Sequence, residues 1–373
     1  MKKALLTATV QSHICQFHRP LAKLLHQNGY QVDVAARNNL AEKNGMQLDF
    51  ADNVFDVNFS RSPFSKNNLA AYKQLKQILS ENHYDFIHCN TPMGGVVTRL
   101  AANKYRKRGT KVFYTAHGFH FYKGAPLQNW LLYYPIEKWL ARKTDKLIAI
   151  NKEDFNRATE KFKTEVCRIH GVGVNIEKYR VINDDEKIKI REKVGLKAHE
   201  KVILCVGELL PNKNQATLIK AMPAILKEFP NTKLFFAGNG AEESTLKNLA
   251  EELKVAQNIV FLGYCLNLEE FQNIADVCVS CSFREGLALN LVEAMLCKTP
   301  VVASQNRGHK ELVKDGKTGF LLNPTDVDGF AQKIITVLKQ KNIASALADS
   351  AYENVQKYID TNVCKELNGI YEL

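Results

Sequence analysis

Two carboxylates, Glu285 and Glu293, stand eight positions apart in the segment SFREGLALNLVEAMLCKTPVV, residues 282–302. Gly286 follows the first, and Leu289, Leu291, Val292, Ala294, Met295 and Leu296 carry helical periodicity past the second. The preceding run ADVCVSCS, residues 275–282, reads as a short buried strand, and Thr299-Pro300 leads into a second apolar strand at 301–303. A helix that begins directly after a parallel strand points its free N–H groups over the carboxyl edge of the sheet, where phosphates bind. The pattern therefore predicts an anion site on the amides of Gly286, Leu287 and Ala288. Glu285, at the mouth of that turn, is suited to accept hydrogen bonds from neutral hydroxyls, as on a sugar. Glu293 lies two turns on, about 12 Å along the axis at about 1.5 Å per residue, a reach that suits a vicinal diol such as a ribose. The residues alone also admit a plainer reading, an acidic helix cap and one exposed helix glutamate.

Other candidates follow the same logic of strand ends. Lys213 comes a short loop after a strand at 202–206, where an ammonium can neutralise a leaving diphosphate as a point charge. Gly238-Asn239-Gly240 follows a strand at 234–237 and opens a helix; by itself such a pair of glycines also serves only to make a tight turn. His117 closes a strand at 111–116, where it can hydrogen-bond a sugar hydroxyl or a phosphate, or simply be a satisfied core histidine. Ser12 and His13 lie in what reads as the loop after the first strand. Asp326-Val327-Asp328 spells a metal–nucleotide motif, yet its place after Pro324 and before a helical pattern makes Asp326 an N-cap. No catalytic metal is expected.

The elements that must hold these groups alternate strand and helix throughout, which argues for parallel sheets covered on both faces. Strands are expected at 3–9, 31–36, 54–59, 85–89, 111–116 and 146–150, with helices at 16–28, 68–81, 94–107 and 127–142. A boundary falls near 171–190, where Gly171 and Gly173 punctuate the chain and a charged run at 183–193 follows. Strands at 202–206, 234–237 and 259–262 and the Glu285 unit begin a second layered domain, and a last helix is expected over about 345–372.

With 373 residues the chain is long enough for two domains with full cores. No run of about 18 apolar residues predicts a membrane span. The start MKKALLTATVQSHICQ has too short an apolar run for a signal peptide and reads as the first strand. Nine cysteines without framework spacing fit a reducing cytoplasm, and Cys278 and Cys281 lack the second pair a zinc site needs. Residues 1–180 hold 28 Lys+Arg against 14 Asp+Glu, whereas the remainder holds 23 against 25. A cationic first half suggests a polyanionic partner: nucleic acid, an anionic leaflet or a diphosphate-bearing substrate. The cluster Lys104, Arg106, Lys107, Arg108 and Lys111, with the run Trp130 to Ile136, Trp139 and Leu140, either meets a membrane surface or packs the first domain.

The segment at 282–302 resembles the paired-glutamate signature of retaining glycosyltransferases of family 4. The runs RGHKELVKDGKTGFLLNPTD (307–326) and VGELLPNKNQATLIKA (206–221) are similar to that family's neighbouring blocks. The runs ATVQSHICQFHRPL (8–21), TAHGFHFYKGAP (115–126) and YYPIEKWLARKTDKLIAINKEDF (133–155) resemble a bacterial subgroup that builds capsular and exopolysaccharide repeat units. The resemblance implies an α/β chain of the GT-B fold, two Rossmann-like doubly wound domains facing across a cleft. It implies an acceptor domain over residues 1–175, a nucleotide-sugar domain over 176–345, and a helical segment over 346–373 crossing back to the first.

The implied function is retaining transfer from a nucleotide-diphosphate sugar, UDP being the expected nucleotide, to a sugar hydroxyl on an undecaprenyl-diphosphate carrier. No cofactor is implied beyond the donor itself. His117, Lys213 and Glu285 are the implied catalytic groups. Gly207, Glu208, Gly238, Asn239, Gly240, Tyr264, Gly286, Leu287, Ala288 and Glu293 are the implied donor site. Ser12, His13 and His120 are the candidates for the acceptor. Two departures stand out: Glu208 occupies the position where the family carries an arginine, and residues 10–15 lack the family's adjacent glycines. The implied location is the cytoplasm, peripheral at an anionic inner leaflet, with no nucleic-acid partner. A UDP-sugar 2-epimerase of the same architecture and a non-catalytic sugar-nucleotide-binding scaffold subunit remain as alternatives.

Overall fold

A computed structural model describes residues 1–43 and 45–373. The chain divides into two compact units, Met1–Gly173 with Asp360–Leu373, and Val174–Ile359.

The first unit is built on seven strands: β1 (Lys2–Val10), β2 (Tyr30–Arg37), β3 (Asn53–Asp56), β4 (Phe86–Asn90), β5 (Lys111–Ala116), β6 (Lys146–Ala149) and β7 (Glu165–Arg168). Their order is β3-β2-β1-β4-β5-β6-β7, and every pair is parallel. From Ala4 onward every residue of β1 is buried. That is the mark of a parallel strand covered on both faces, and it explains why β1 reads as a nearly continuous apolar run. Between β1 and β2 the chain forms two helices, Gln11–Phe17 and Arg19–Gln27. A single helix at 16–28 after a loop was expected; instead helix begins directly at the end of β1, and the path breaks at His18, with Pro20 seated in the first turn of the second helix. Ser12 and His13 therefore stand on a helix.

The unit also buries an ion pair. Arg99 Nη2 lies 2.8 Å from Glu137 Oε2, and the guanidinium sits 3.9 Å from the centre of the Tyr114 ring.

The second unit carries β8 (Lys201–Val206), β9 (Thr232–Ala237), β10 (Ile259–Gly263), β11 (Val277–Ser280), β12 (Val301–Ser304) and β13 (Phe320–Leu322). Their order is β10-β9-β8-β11-β12-β13, again wholly parallel. Phe236, Phe330, Met222 and Ile334 fill the core on one face. Cys278 and Cys281 are fully buried as small apolar groups, and all nine cysteines are free thiols. The charged run at 183–193 is a helix, Asp184–Lys193, closed at its start by reciprocal bonds between Asn183 and Glu186.

The C-terminal segment differs from the single helix expected over 345–372. Two helices, Lys341–Val355 and Asp360–Tyr371, are separated by a tight turn at Gln356–Tyr358. The first belongs to the second unit, and return to the first unit begins at Asp360 rather than at 346. Within the first unit the Tyr371 ring packs 4.8 Å from that of Phe113 and 5.2 Å from Phe86, so aromatic burial anchors this last helix.

Each sheet reverses its strand order beside its first strand, between β1 and β4 and between β8 and β11. At such switch points the connections leave the carboxyl edge in opposite directions and open a crevice for ligands.

Candidate functional site

In the second unit the switch point gathers most of the expected donor residues. The loop after β11 brings Glu285 to Lys213, whose Nζ lies 2.7 Å from Glu285 Oε1. Lys213 belongs to the loop after β8 and lies over Gly207; a Cβ on that glycine would stand 3.5 Å from the lysine stem. The cation and carboxylate expected to serve different parts of a ligand are therefore partners of each other here.

The Glu285 loop is fixed by its neighbours. The amide of Phe283 donates to Asn212 O at 2.9 Å, and Asn212 Nδ2 donates to Arg284 O at 3.0 Å. From the loop after β12, Ser304 Oγ and Asn306 Nδ2 both donate to Ser282 O. Gly308 comes so close that a Cβ would stand 2.7 Å from Glu285 Cβ.

Beneath this loop His309 is fully buried, with Nε2 3.1 Å from Ser280 Oγ and Nδ1 2.7 Å from Ser304 O. Burial holds its pKa down to about 4, so it is a neutral strut. Sequence reasoning passed over His309, although it lies inside the run 307–326; the only signal was a histidine two residues before Glu311.

Helix starts three residues later than expected, at Leu289, with Ala288 as its N-cap. Gly286, Leu287 and Ala288 thus form a loop rather than the first helical turn. Among the described residues the amides from Gly286 to Asn290 donate to no internal acceptor, so the row of available N–H groups remains, carried by loop and helix start together. Asn290 is held by its Nδ2 bond of 3.0 Å to Val206 O.

Gly238 and Gly240 let two loops approach closely. A Cβ on Gly238, whose φ is +147°, would stand 2.1 Å from Gly207 O, and one on Gly240 would stand 2.1 Å from Leu209 O. Their missing side chains admit the neighbouring loop backbone. Asn239 O accepts from the Leu209 amide at 2.9 Å, tying the loop after β9 to that after β8. Glu208 stands exposed on this loop, and its carbonyl accepts from Gln215 Nε2 at 3.0 Å. Tyr264 is half-buried just past β10.

Glu293 faces inward from the helix Leu289–Leu296. Its carboxyl is half-buried and pushed up to about 7 by burial, against the opposing effects of the Tyr179 hydroxyl, which donates to it, and of Lys178; Glu269 adds to the rise. A glutamate held near neutrality in this way is not the exposed helix glutamate of the plainer reading. Tyr179 had no signal in the sequence, since nothing local places 179 beside 293. Asp326 caps the helix Val327–Lys339 by accepting from the Gly329 amide at 2.9 Å, as expected.

In the first unit a group of histidines occupies the carboxyl edge. His117 Nε2 lies 3.2 Å from His13 Nε2 and 3.2 Å from Asn90 Oδ1. His18 is buried alongside, its ring 5.8 Å from that of His117. His88, on β4, is bonded to Thr115 Oγ1 at 2.7 Å and to the Tyr371 hydroxyl. Burial holds His117 down to about 4 and His88 to about 3, and puts His13 and His18 well below the ordinary range, so the group is neutral at physiological pH. Thr91, between β4 and the helix Pro92–Arg106, has φ +64°, a strained conformation for a β-branched residue; its Oγ1 bonds the Thr9 amide and hydroxyl.

Of the acceptor candidates, Ser12 is only 5% exposed and is held by Asn39, whose Oδ1 accepts from the Ser12 amide and whose Nδ2 donates to Ser12 Oγ. These bonds secure the helix start. His120 stacks on Tyr133 at 4.6 Å.

The helix Leu127–Ala141 resolves the aromatic run into two faces. Trp130, Tyr133 and Tyr134 pack against the core around Phe119 and Phe121, whereas Leu127, Leu131, Leu132, Ile136 and Trp139 are exposed. Lys104, Lys107, Arg108 and Lys111 are exposed as well, while Arg106 pairs with Asp145 at 2.9 Å. Among the described residues, no helix is long and apolar enough to cross a membrane.

Comparison with known proteins places these features. Residues 186–354 match the family of glycosyl transferases group 1, and residues 3–151 match the glycosyl transferase 4-like family. The chain is 41% identical over 372 residues to EpsD of Bacillus subtilis (strain 168), provisionally named a glycosyltransferase, covering 99% of this chain and 96% of that one. It is 27% identical over 318 residues to the Escherichia coli UDP-Gal:alpha-D-GlcNAc-diphosphoundecaprenol alpha-1,3-galactosyltransferase, covering 82% and 80% of the two chains. Among solved structures it resembles Anabaena Alr3699/HepE, determined in complex with UDP and glucose, with a TM-score of 0.80 at 21% identity over the whole of both chains.

Proposed function

The chain belongs to the group 1 glycosyltransferases and has the GT-B fold, and from that premise we propose the following reaction. The protein moves a sugar from UDP, with retention and without a catalytic metal, to a sugar hydroxyl of an undecaprenyl-diphosphate-linked acceptor during assembly of a bacterial cell-surface polysaccharide. The observation that carries this reading is the Lys213–Glu285 pair at 2.7 Å beside the unbonded amides of Gly286 to Asn290.

An arriving diphosphate competes for Lys213 and takes those amides, while Glu285, released from the lysine, accepts from the donor-sugar hydroxyls. Glu293 then receives the ribose diol. His117 is assigned a hydrogen bond to the transferred sugar. No residue is placed as a covalent nucleophile, so the acceptor oxygen attacks on the face from which the phosphate leaves. The sugar–phosphate C–O bond breaks as the new glycosidic bond forms, and the acceptor proton passes to the departing phosphate oxygen. The protein's part is position and electrostatics. The aspartate that would suggest a metal–nucleotide motif, Asp326, is used as a helix cap.

One relative supports the substrate class: it is named for UDP-Gal and a diphosphoundecaprenol acceptor. The exposed apolar stripe on Leu127–Ala141 and the exposed basic residues support docking at an anionic leaflet, where a membrane-held acceptor would be met. Replacing Leu131 and Trp139 together by glutamate should lower co-sedimentation with anionic vesicles while leaving thermal stability unchanged.

The deciding experiment has two arms. Thermal shift with UDP, GDP, ADP and UDP-sugars, with and without EDTA, is expected to show stabilisation by UDP compounds that survives EDTA. Incubation with UDP-sugars and an undecaprenyl-diphosphate saccharide, read by NMR, is expected to show a product anomer matching the donor. Inversion, a requirement for added metal, or conversion of UDP-N-acetylglucosamine without acceptor would overturn the reading.

A further inference from the structure

The histidine group in the first unit has more built into it than one sugar contact requires. A ring nitrogen of His13, His18 and His117 can each be chosen so that all three lie within 4.8 Å of one another. The His13 and His117 Nε2 atoms are 3.2 Å apart. Ligands on a tetrahedral ion with metal–nitrogen bonds of about 2.0–2.1 Å stand about 3.3 Å from each other. The two nitrogens therefore already have the spacing of two ligands on one ion, and His18 completes the third side with a small closing movement.

His18 supplies the second observation. It is 3% exposed, and its Nε2 is buried with no hydrogen-bond partner among the described residues. An orphaned buried acceptor or donor costs about 1–3 kcal/mol, and native proteins rarely carry one without a reason.

We propose that His13, His18 and His117 form a three-imidazole site for a borderline divalent transition-metal ion such as Zn2+, and that filling it inhibits the enzyme. Imidazole ligands suit zinc, copper and nickel and do not suit magnesium or calcium. Metal ligation requires neutral imidazoles, and burial keeps these three deprotonated, so binding needs no prior loss of protons. Asn90 Oδ1 lies 3.2 Å from His117 Nε2, beside the triad. Neither carboxylate nor thiolate belongs to the triad, so the ion's charge is not offset by its protein ligands. The inhibitory part depends on the role given to His117 under the proposed function; the binding part does not.

The test begins with protein stripped by EDTA and then freed of chelator. Titration with Co2+ should give the visible d–d bands of a four- or five-coordinate site, saturating at one ion per chain and displaced by Zn2+. His18→Phe keeps a ring against His13 and His117, removes the orphaned nitrogen and leaves both of those side chains unaltered. It should weaken Co2+ and Zn2+ binding by about tenfold or more while leaving the apo melting temperature equal or higher; His18→Leu serves if the phenyl ring is not accommodated. Zn2+ should suppress sugar transfer by the wild-type enzyme and spare the His18 variant. Failure of the wild type to take up Co2+ or Zn2+, or equal uptake by the His18 variants, would overturn the site. Stoichiometric Zn2+ binding without loss of transfer would overturn the inhibition alone, with the binding isotherm still reporting the site.

Discussion

Replacing Glu293 by glutamine separates what this carboxyl costs the fold from what it offers a ligand. Its pKa is pushed from 4.5 to about 7, chiefly by burial. That displacement corresponds to about 3 kcal/mol. The folded state holds the proton more tightly than the unfolded chain. The group's contribution is therefore fully present below about pH 4.5 and is lost as pH rises through about 7. At about pH 8 the wild type bears nearly the whole penalty, whereas the glutamine variant bears none and can still face the Tyr179 hydroxyl. The variant should then be more stable than wild type by about 1–3 kcal/mol, and close to equal at about pH 5.

For a unit of this size, about 2–4 °C accompanies each kcal/mol, so the melting of the second unit should rise by roughly 2–12 °C at the higher pH. Calorimetry or urea unfolding at the two pH values reads this directly. Donor binding should move the other way. A ribose diol donates to a carboxylate, so wild-type UDP affinity should strengthen from about pH 6 to about pH 8. The variant should bind UDP more weakly and without that slope. A stability gain paired with lost binding is what a site strained for ligand should show. A variant less stable than wild type at about pH 8, or equally changed at both pH values, would refute the burial argument. UDP affinity equal to wild type with the same pH slope would remove Glu293 from the donor site.

Three further outcomes follow from the geometry. Lys213→Ala removes the cation at 2.7 Å from Glu285 and should lower turnover by about 10²-fold or more, with a smaller loss in UDP affinity; unchanged steady-state kinetics would exclude its role at the diphosphate. Gly238→Ala forces a Cβ to 2.1 Å from Gly207 O and should destabilise the second unit by about 3 kcal/mol or more in urea unfolding, whereas a tolerated alanine would show that the loop can yield. Glu137→Leu leaves Arg99 charged and buried and should cost about 3–5 kcal/mol, most of it recovered by adding Arg99→Met; additive losses in the double variant would show that the pair itself is the source of stability.

Local pattern carried eleven of the thirteen strands and their parallel pairing class; the short edge strands β7 and β13 were not expected. Residues 111–116 are β5 to the residue, because an apolar run between turn signals has few other uses. The Glu285 block was legible for the same reason: strand, glycine and amphipathic helix are all short-range signals. The break at His18 and the split of the last helix at Gln356–Tyr358 were not, since helical periodicity runs through both and only tertiary packing decides where each turn ends. The same holds for the resting partner of Lys213, which depends on two loops 72 residues apart, and for Tyr179 beside Glu293.

By itself, then, the sequence determined the layered α/β class, the two domains and the identity of the groups at strand ends, because these depend on periodicity and chain length. The tertiary structure alone decided which of those groups meet. It spent Gly238 and Gly240 on loop packing and Ser12 on Asn39, buried His309 as a strut and gathered three histidines within 4.8 Å. Side-chain encounters across a sheet edge are set by strand order, and strand order is a long-range property that no local pattern contains.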